Sequence, residues 1–219
     1  MVLEIDNIEL SFGSKQILHG IYLKAEQGKI TALLGRNGSG KTSLLNIIFG
    51  SLKPKYASIR IDGKNRTKPL FAARNVAYLP QHALLPKTIK LVTAFNLFQV
   101  DWQEFISRFQ NFSIYKNIPI AELSSGEMRL VETYLILSKD CDIILLDEPF
   151  SFIAPVYIEQ LKERLLELKK EKTIIITDHY YQDILSVGDS IYLLKDGSSK
   201  FVTNQESLIR EGYLPVNPQ

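Results

Sequence analysis

The sequence is poor in cysteine, in secretory signals and in long apolar runs. The single cysteine, Cys141, excludes an internal disulfide, and we expect a buried structural thiol in a reducing compartment. Glu4 and Asp6 interrupt the start of the chain, so no secretory signal is predicted. The longest uncharged apolar-rich run, 91–100, is far shorter than the roughly 20 residues of a membrane-spanning helix. Any work at a membrane would therefore need another subunit to supply the spanning helices.

An excess of charge of one sign is also lacking. The chain has 26 Lys and Arg against 24 Asp and Glu, a formal net charge of +2, and the two signs are interspersed. We therefore expect no nucleic acid as the main partner. The 219 residues, 45% of them hydrophobic, are enough for one or two compact domains with a real core.

The stretch GRNGSGKT matches the phosphate-loop pattern G-x-x-x-x-G-K-[ST]. The apolar run 30–34 before it predicts a strand, and 43–49 after it predicts a helix that ends at Gly50. A glycine-rich turn between a strand and a helix N-terminus directs backbone N–H groups at a phosphate. Lys41 would reach the β- and γ-phosphates, and the Thr42 hydroxyl would bind Mg²⁺. The predicted nucleotide-binding residues are Gly35, Arg36, Asn37, Gly38, Ser39, Gly40, Lys41, Thr42 and Ser43.

A second polar cluster follows the apolar run 143–146, which predicts another buried strand. Asp147 and Glu148 come directly after this run, at the carboxyl end of the predicted strand. Ligands of open α/β sheets bind at that edge. We therefore expect Asp147 to hold Mg²⁺ or its waters and Glu148 to polarise an attacking water.

Four further features each have a functional and a structural interpretation. Phe12 is either a platform for a nucleotide base or an ordinary core or edge phenylalanine. Gln81 is either a metal ligand or a loop glutamine, and His179 either contacts a terminal phosphate or is structural. The segment 123–127, LSSGE, is either a second anion site or only the cap of a helix predicted over 128–137.

The order of the predicted elements indicates an α/β fold. A mostly parallel core sheet follows an N-terminal antiparallel β layer, and one domain spans 1–219. Its nucleotide-binding core comprises 1–81 and 140–211, and residues 212–219 form a flexible tail. The remaining segment, 82–139, is predicted to be a small helical subdomain.

The helical subdomain has a stripe of large apolar side chains. Within 92–100 and 102–109 these recur at helical spacing. We expect the stripe to be core, and the alternative is an exposed docking surface. The residues that would share this face are Trp102, Phe105, Ile106 and Phe109.

Taken in order, these motifs resemble the ATP-binding subunit of ABC transporters over roughly 2–209. The quoted elements are Phe12, GRNGSGKT, Gln81, LSSGE, IILLDEP and His179. The resemblance implies a P-loop NTPase fold and a homodimer that sandwiches two ATP molecules head to tail. In that dimer the phosphate loop of one copy faces four residues of the other, which are Ser124, Ser125, Gly126 and Glu127.

The resemblance also implies roles for the polar residues. Glu148 would be the general base, and Lys41 and His179 would stabilise the transferring phosphoryl group. Gln81 would contact Mg²⁺, together with Thr42 and Asp147, and would sense the membrane partner. The subunit would bind separate transmembrane subunits at the cytoplasmic face of the membrane. The motifs YLPQ and ITDHYYQDIL resemble the subgroup of branched-chain amino acid importers and the lipopolysaccharide exporter.

Three departures from the family pattern keep two alternatives open. Ser125 stands where the family has glycine, so its Cβ would crowd a phosphate or a strained turn. Ala154 stands where the family has aspartate, which questions communication between the two sites. Only 43 positions separate Gln81 from Ser124, a short helical region. The alternatives are a soluble ABC-type ATPase without a transporter and a nucleotide switch of low turnover.

Overall fold

A computed structural model describes residues 1–73, 75–179 and 181–215 of the chain. Its strands are β1 (Val2–Phe12), β2 (Lys15–Glu26), β3 (Ile30–Leu34), β4 (Tyr56–Ile61), β5 (Lys64–Asn65), β6 (Val76–Leu79), β7 (Ile143–Asp147), β8 (Thr173–Thr177), β9 (Ser190–Lys195) and β10 (Ser198–Val202). Its α-helices are α1 (Lys41–Phe49), α2 (Leu91–Phe98), α3 (Trp102–Arg108), α4 (Ser125–Leu137), α5 (Pro155–Leu168), α6 (Tyr181–Val187) and α7 (Gln205–Arg210). Short 3₁₀ helices span Leu70–Ala73, Gln110–Tyr115 and Ile120–Glu122.

The strands form two sheets, as the predicted α/β architecture requires. The core sheet has the order β10-β9-β3-β8-β7-β6, and only β10 runs antiparallel to its neighbour. Its strands β3, β7 and β8 are buried at every residue, which explains their uninterrupted apolar runs. The second sheet, β2-β1-β4-β5, is antiparallel and contains the N-terminal layer.

Two apolar clusters lie on opposite faces of the core sheet. One contains α1 together with inward side chains of the antiparallel sheet, such as Leu3, Ile5 and Leu23. The other contains α4, α5 and α6 together with the helical region. The carboxyl ends of β3, β6, β7 and β8 therefore lie at one edge of the core sheet, between α1 and α4. The predicted polar site residues directly follow these strand ends.

The aromatic stripe of the helical region is core, as predicted. Phe95, Trp102, Phe105 and Phe109 are buried and stack on Tyr134 of α4, directly or through one another. The docking alternative is therefore wrong for these rings. Within the described ranges no helix is long and apolar enough to cross a membrane, and the longest, α5, has 14 residues.

Two predicted boundaries differ from the structure. α4 begins at Ser125 rather than near 128, because Ser124 caps the helix through a reciprocal bond with Glu127. The predicted flexible tail begins with packed residues: Leu214 is buried, and the Gly212 carbonyl accepts a hydrogen bond from Arg36. Residues 216–219 of the tail lie outside the described part. The division into core and helical subdomain stays a prediction.

Candidate active site

The predicted phosphate loop, residues 35–40, joins buried β3 to the start of α1. Gly40 caps α1 in a left-handed conformation with φ 104°, which glycine adopts without strain. Gly35 is needed for space, since an added Cβ would lie 2.5 Å from Ser39 Oγ and 2.7 Å from the Leu194 carbonyl oxygen. The first N–H groups of α1 have no partner within the helix, so this terminus is suited to an anion.

Lys41 lies in the first turn of α1 and folds back over the loop. Its Nζ donates hydrogen bonds to the carbonyl oxygens of Gly35, at 2.8 Å, and Arg36, at 3.4 Å. Burial lowers the pKa of this ammonium group, while Glu148 and Asp147 raise it. Both bonds go to carbonyl oxygens of its own loop, so the ammonium group can turn to phosphate oxygens instead.

Asp147 ends β7 as a fully buried carboxyl group. Its Oδ2 accepts a hydrogen bond of 3.4 Å from the Tyr78 hydroxyl, and its Oδ1 is a buried oxygen with no hydrogen-bond partner among the described residues. Burial raises the pKa of this carboxyl, while the Thr42 hydroxyl and the Lys41 ammonium lower it. An orphaned buried oxygen beside a threonine hydroxyl suits a hard cation such as Mg²⁺.

The metal site that these residues suit is an open one. Among the described residues no group of three or more His, Cys, Asp or Glu side chains is placed to hold a metal. Mg²⁺ characteristically takes one or two protein oxygens and completes its shell with waters and substrate phosphates. Asp147 and Thr42 therefore fit a metal that arrives with a nucleotide rather than a resident one.

Glu148, Gln81 and His179 come together although they lie far apart in sequence. Gln81 Nε2 donates a hydrogen bond of 3.1 Å to Glu148 Oε2, and His179 Nδ1 lies 3.5 Å from the same oxygen. Each follows the carboxyl end of a different strand, β6, β7 or β8. Glu148 has a left-handed backbone with φ 54°, and a non-glycine residue in this conformation is a recurrent feature of active sites.

The LSSGE segment caps α4. Ser124 Oγ accepts from the Glu127 N–H at 3.2 Å, and Glu127 Oε2 accepts from the Ser124 N–H at 2.8 Å. Ser125 is exposed in the first turn of α4 and is not among the residues with positive φ, so the expected strained turn is wrong. An added Cβ at Gly126 would lie 2.2 Å from the Phe152 carbonyl oxygen. The helix-cap interpretation is confirmed, and the exposed terminus remains open to an anion.

Phe12 lies at the end of β1, where a tight turn at Gly13 leads into β2. Its ring is 54% exposed, so the core interpretation is wrong, and an exposed ring can stack on a base.

A cavity of about 510 Å³ lies beside the outer part of the phosphate loop. It is lined by the start of β2, residues 36–39, the β9–β10 turn and residues 211–213.

Sequence reasoning missed two charged residues of α4, Arg129 and Glu132. Both are buried, and both bind backbone groups next to Gln81 and Glu148. The available signal is a pair of opposite charges three residues apart within the predicted helix 128–137, whose other residues are mostly apolar. A charge at a position predicted to face the core needs partners there, and these partners are backbone groups.

Comparisons with known proteins agree with this geometry. The arabinose import ATP-binding protein AraG of Mannheimia succiniciproducens is 33% identical over 89% of this chain and 42% of its own length. The lipopolysaccharide export system ATP-binding protein LptB of Haemophilus influenzae is 29% identical over 95% of each chain. The chain thus spans less than half of the sugar-import relative. A nucleotide-free ATP-binding cassette from an ABC transporter superposes with a TM-score of 0.79 and 25% identity, covering 98% of this chain and 96% of that one.

The family model described as ABC transporter matches residues 18–151, more than half of the chain. The chain therefore belongs to the ABC transporter family, and it is an ATP-binding domain of that family with the P-loop NTPase fold. The family resemblance of its motifs is confirmed.

Proposed function

We propose that the chain hydrolyses ATP and powers transport through separate membrane subunits. The observation that carries the proposal is the meeting of Gln81, Glu148 and His179 beside buried Asp147, at the sheet edge where the phosphate loop also ends. Phosphoryl transfer requires such a set: charge-stabilising groups and a base that positions water. The names of its relatives, which are import and export ATPases, agree with this activity.

Each side chain has a role that follows from its position. The Glu148 carboxylate accepts a proton from the attacking water, and Gln81, bonded to the same carboxylate, orients that water. Lys41 and His179 stabilise the charge that develops on the phosphoryl group. The exposed Phe12 ring stacks on the adenine base.

Thr42 and Asp147, with Gln81 nearby, are the residues that would hold Mg²⁺. The support is Asp147 Oδ1, a buried carboxylate oxygen without a hydrogen-bond partner among the described residues. A bound Mg²⁺ would compensate the charge on this oxygen. Bound Mg²⁺ neutralises charge on the phosphates.

A homodimer completes each site in this proposal. Ser124 and Ser125 are exposed at the N-terminus of α4, where Ser124 and Glu127 cap the helix. The helix N-terminus of one copy would therefore face the γ-phosphate held by the other copy. Gly126 allows residues 124–127 to lie directly against the Phe152 backbone.

In this proposal the membrane channel comes from separate transmembrane subunits, in agreement with relatives that are named as ATP-binding proteins of transport systems. The chain would then work at the cytoplasmic face of that membrane. Its relatives include both an import and an export ATP-binding protein. We therefore propose ATP-driven transport without assigning its direction.

Replacing the general base tests the proposed hydrolysis. We expect Glu148→Gln to lower steady-state ATP turnover by 10²-fold or more, roughly the worth of a general base, because the amide cannot accept a proton. The same variant should bind ATP normally and accumulate as an ATP-loaded dimer in size-exclusion chromatography.

The matched control is Glu163→Gln, which makes the same change on the distant helix α5 and should keep wild-type turnover. Unchanged turnover in Glu148→Gln would contradict the assignment of the base. A wild-type protein that binds ATP in the dimer without turnover would favour the switch alternative, which the missing carboxylate at Ala154 motivates.

A further inference from the structure

Arg129 on α4 has a guanidinium group enclosed by backbone carbonyls. The side chain is buried, and Nη1 donates to the Pro80 carbonyl oxygen at 2.7 Å. Nη2 donates to the carbonyl oxygens of Asp147 and Glu148, and Nε also donates to Glu148 at 3.2 Å. Arg129 thus clamps the ends of β6 and β7, one residue away from Gln81 and at Glu148 itself.

Glu132, one turn further along α4, holds the loop that follows Gln81. It is 1% exposed, and its Oε1 accepts hydrogen bonds from the N–H groups of Leu84, at 2.6 Å, and Leu85, at 2.9 Å. Its Oε2 lies 3.6 Å from Arg129 Nη1. The two buried charges therefore neutralise each other, and their remaining hydrogen bonds all go to backbone around the site.

The conformation of Glu148 shows what this clamp accomplishes. Its left-handed backbone is strained for a residue with a Cβ, and such a conformation persists only where its surroundings hold it. The Glu148 N–H donates to the Thr177 carbonyl at 2.7 Å, and its carbonyl accepts from Arg129. The Ser151 N–H also donates to this carbonyl, over a longer distance of 3.4 Å. Removing the Arg129 bonds would leave the Thr177 bond and this weak Ser151 bond to hold the Glu148 backbone.

The clamp is continuous with the exposed terminus of α4. Arg129 lies four residues after Ser125 on the same helix. One turn later the Thr133 hydroxyl shares its proton between the Arg129 carbonyl oxygen, at 2.8 Å, and the Pro149 carbonyl oxygen, at 3.2 Å. A shift of this helix would move the groups that hold Glu148 and Gln81. We infer that the Arg129–Glu132 pair is a positioning device, which sets the general base and Gln81 according to the position of α4.

This inference rests on the proposed function, and Arg129→Lys tests it. Lysine keeps the charge, but its single ammonium cannot span three carbonyls as the planar guanidinium does. We expect kcat to fall about tenfold or more, as misplaced catalytic groups typically cause, while the ATP dissociation constant changes less than about twofold. Glu132→Gln, which keeps one acceptor for Leu84 and Leu85 but loses the ion pair, should show a smaller loss of kcat.

A double variant separates positioning from general destabilisation. Because Arg129 would act mainly through Glu148, adding Arg129→Lys to Glu148→Gln should lower the residual single-turnover rate by a much smaller factor than it lowers the wild-type rate, the remainder coming from Gln81. The control Lys162→Met removes another largely buried cation, paired with Glu159 and Asp183, and should leave kcat unchanged.

The outcomes discriminate between this inference and the proposed function. An active wild type, an inactive Glu148→Gln and a fully active Arg129→Lys would overturn the inference alone, as would equal losses of kcat and ATP affinity. A wild type without turnover would overturn both. If Arg129→Lys fails to fold, Glu132→Gln and its combination with Glu148→Gln provide the same comparison, and unchanged kcat there overturns the inference.

Discussion

Glu148 combines a chemical role with an unfavourable backbone conformation. Its φ of 54° lies in the left-handed region, where a Cβ is costly and glycine is not. The loop needs this conformation because β7 ends there and the side chain must turn toward Gln81. Glycine at this position would relieve the backbone strain, but it would also remove the carboxylate. The site therefore retains a strained residue because its side chain is needed.

We predict that this strain is measurable as a difference between two inactive variants. Glu148→Gly should be more stable than Glu148→Ala by about 1 kcal/mol, because only glycine relieves the strain, and part of that gain is offset by its larger chain entropy. Urea unfolding of both variants gives the difference. Equal stabilities, or a more stable alanine variant, would mean that the Glu148 backbone is unstrained.

The residues that sequence reasoning identified and those that it missed differ in one physical respect. Lys41, Asp147 and Glu148 are predictable because each lies next to its strand or helix in a continuous motif. Arg129 and Glu132 bind carbonyl and N–H groups of distant segments, and every residue carries such groups. No side-chain pattern marks a backbone partner, so these contacts become visible only in the folded chain.

Among the elements, helix termini carry most of the site. α1 and α4 both begin at glycine- and serine-rich loops, and both present N-termini that are suited to phosphate. The predicted strands 30–34 and 143–146 agree with the structure because buried parallel strands are continuous apolar runs. The predicted start of α4 is too late because Ser124 alone is the N-cap, so residues 125–127 of LSSGE already belong to the helix.

The start of α5 is different, since Ala154 caps it without a side-chain hydrogen bond. Ala154→Asp would supply an acceptor to the first N–H groups, and we expect it to stabilise the protein by about 1 kcal/mol. It should also change ATP turnover and leave ATP affinity unaltered, because it restores the family's carboxylate after Ile153. Thermal unfolding and steady-state kinetics measure the two effects.

A second substitution at position 154 separates the effect of helix capping from the effect of the carboxylate charge. Ala154→Ser supplies a cap without a charge, so it should share the stabilisation and keep the original turnover. Turnover that changes equally in both variants would trace the effect to helix stability. Turnover that changes in neither would mean that the missing carboxylate is harmless.

At the scale of the whole molecule, the proposed site is divided between two copies. Within one chain the Ser124 side chain caps α4 through Glu127, and Lys41 donates to the Gly35 and Arg36 carbonyl oxygens of its own loop. In the proposed dimer a single copy would offer half of the groups that surround a triphosphate. An isologous dimer supplies the other half twice, once to each nucleotide.

Mixing two inactive variants tests this division directly. Lys41→Met removes the phosphate-loop cation, and Ser125→Arg places a bulky charge on the exposed α4 terminus, so each homodimer should contain two defective sites. A mixed dimer would pair the intact loop of the Ser125→Arg copy with the intact α4 terminus of the Lys41→Met copy. Random mixing in equal amounts should restore about a quarter of the wild-type sites, measured as ATP cleaved in a single turnover. If each copy worked alone, mixing would restore nothing, and the sandwich would be the wrong description of this protein.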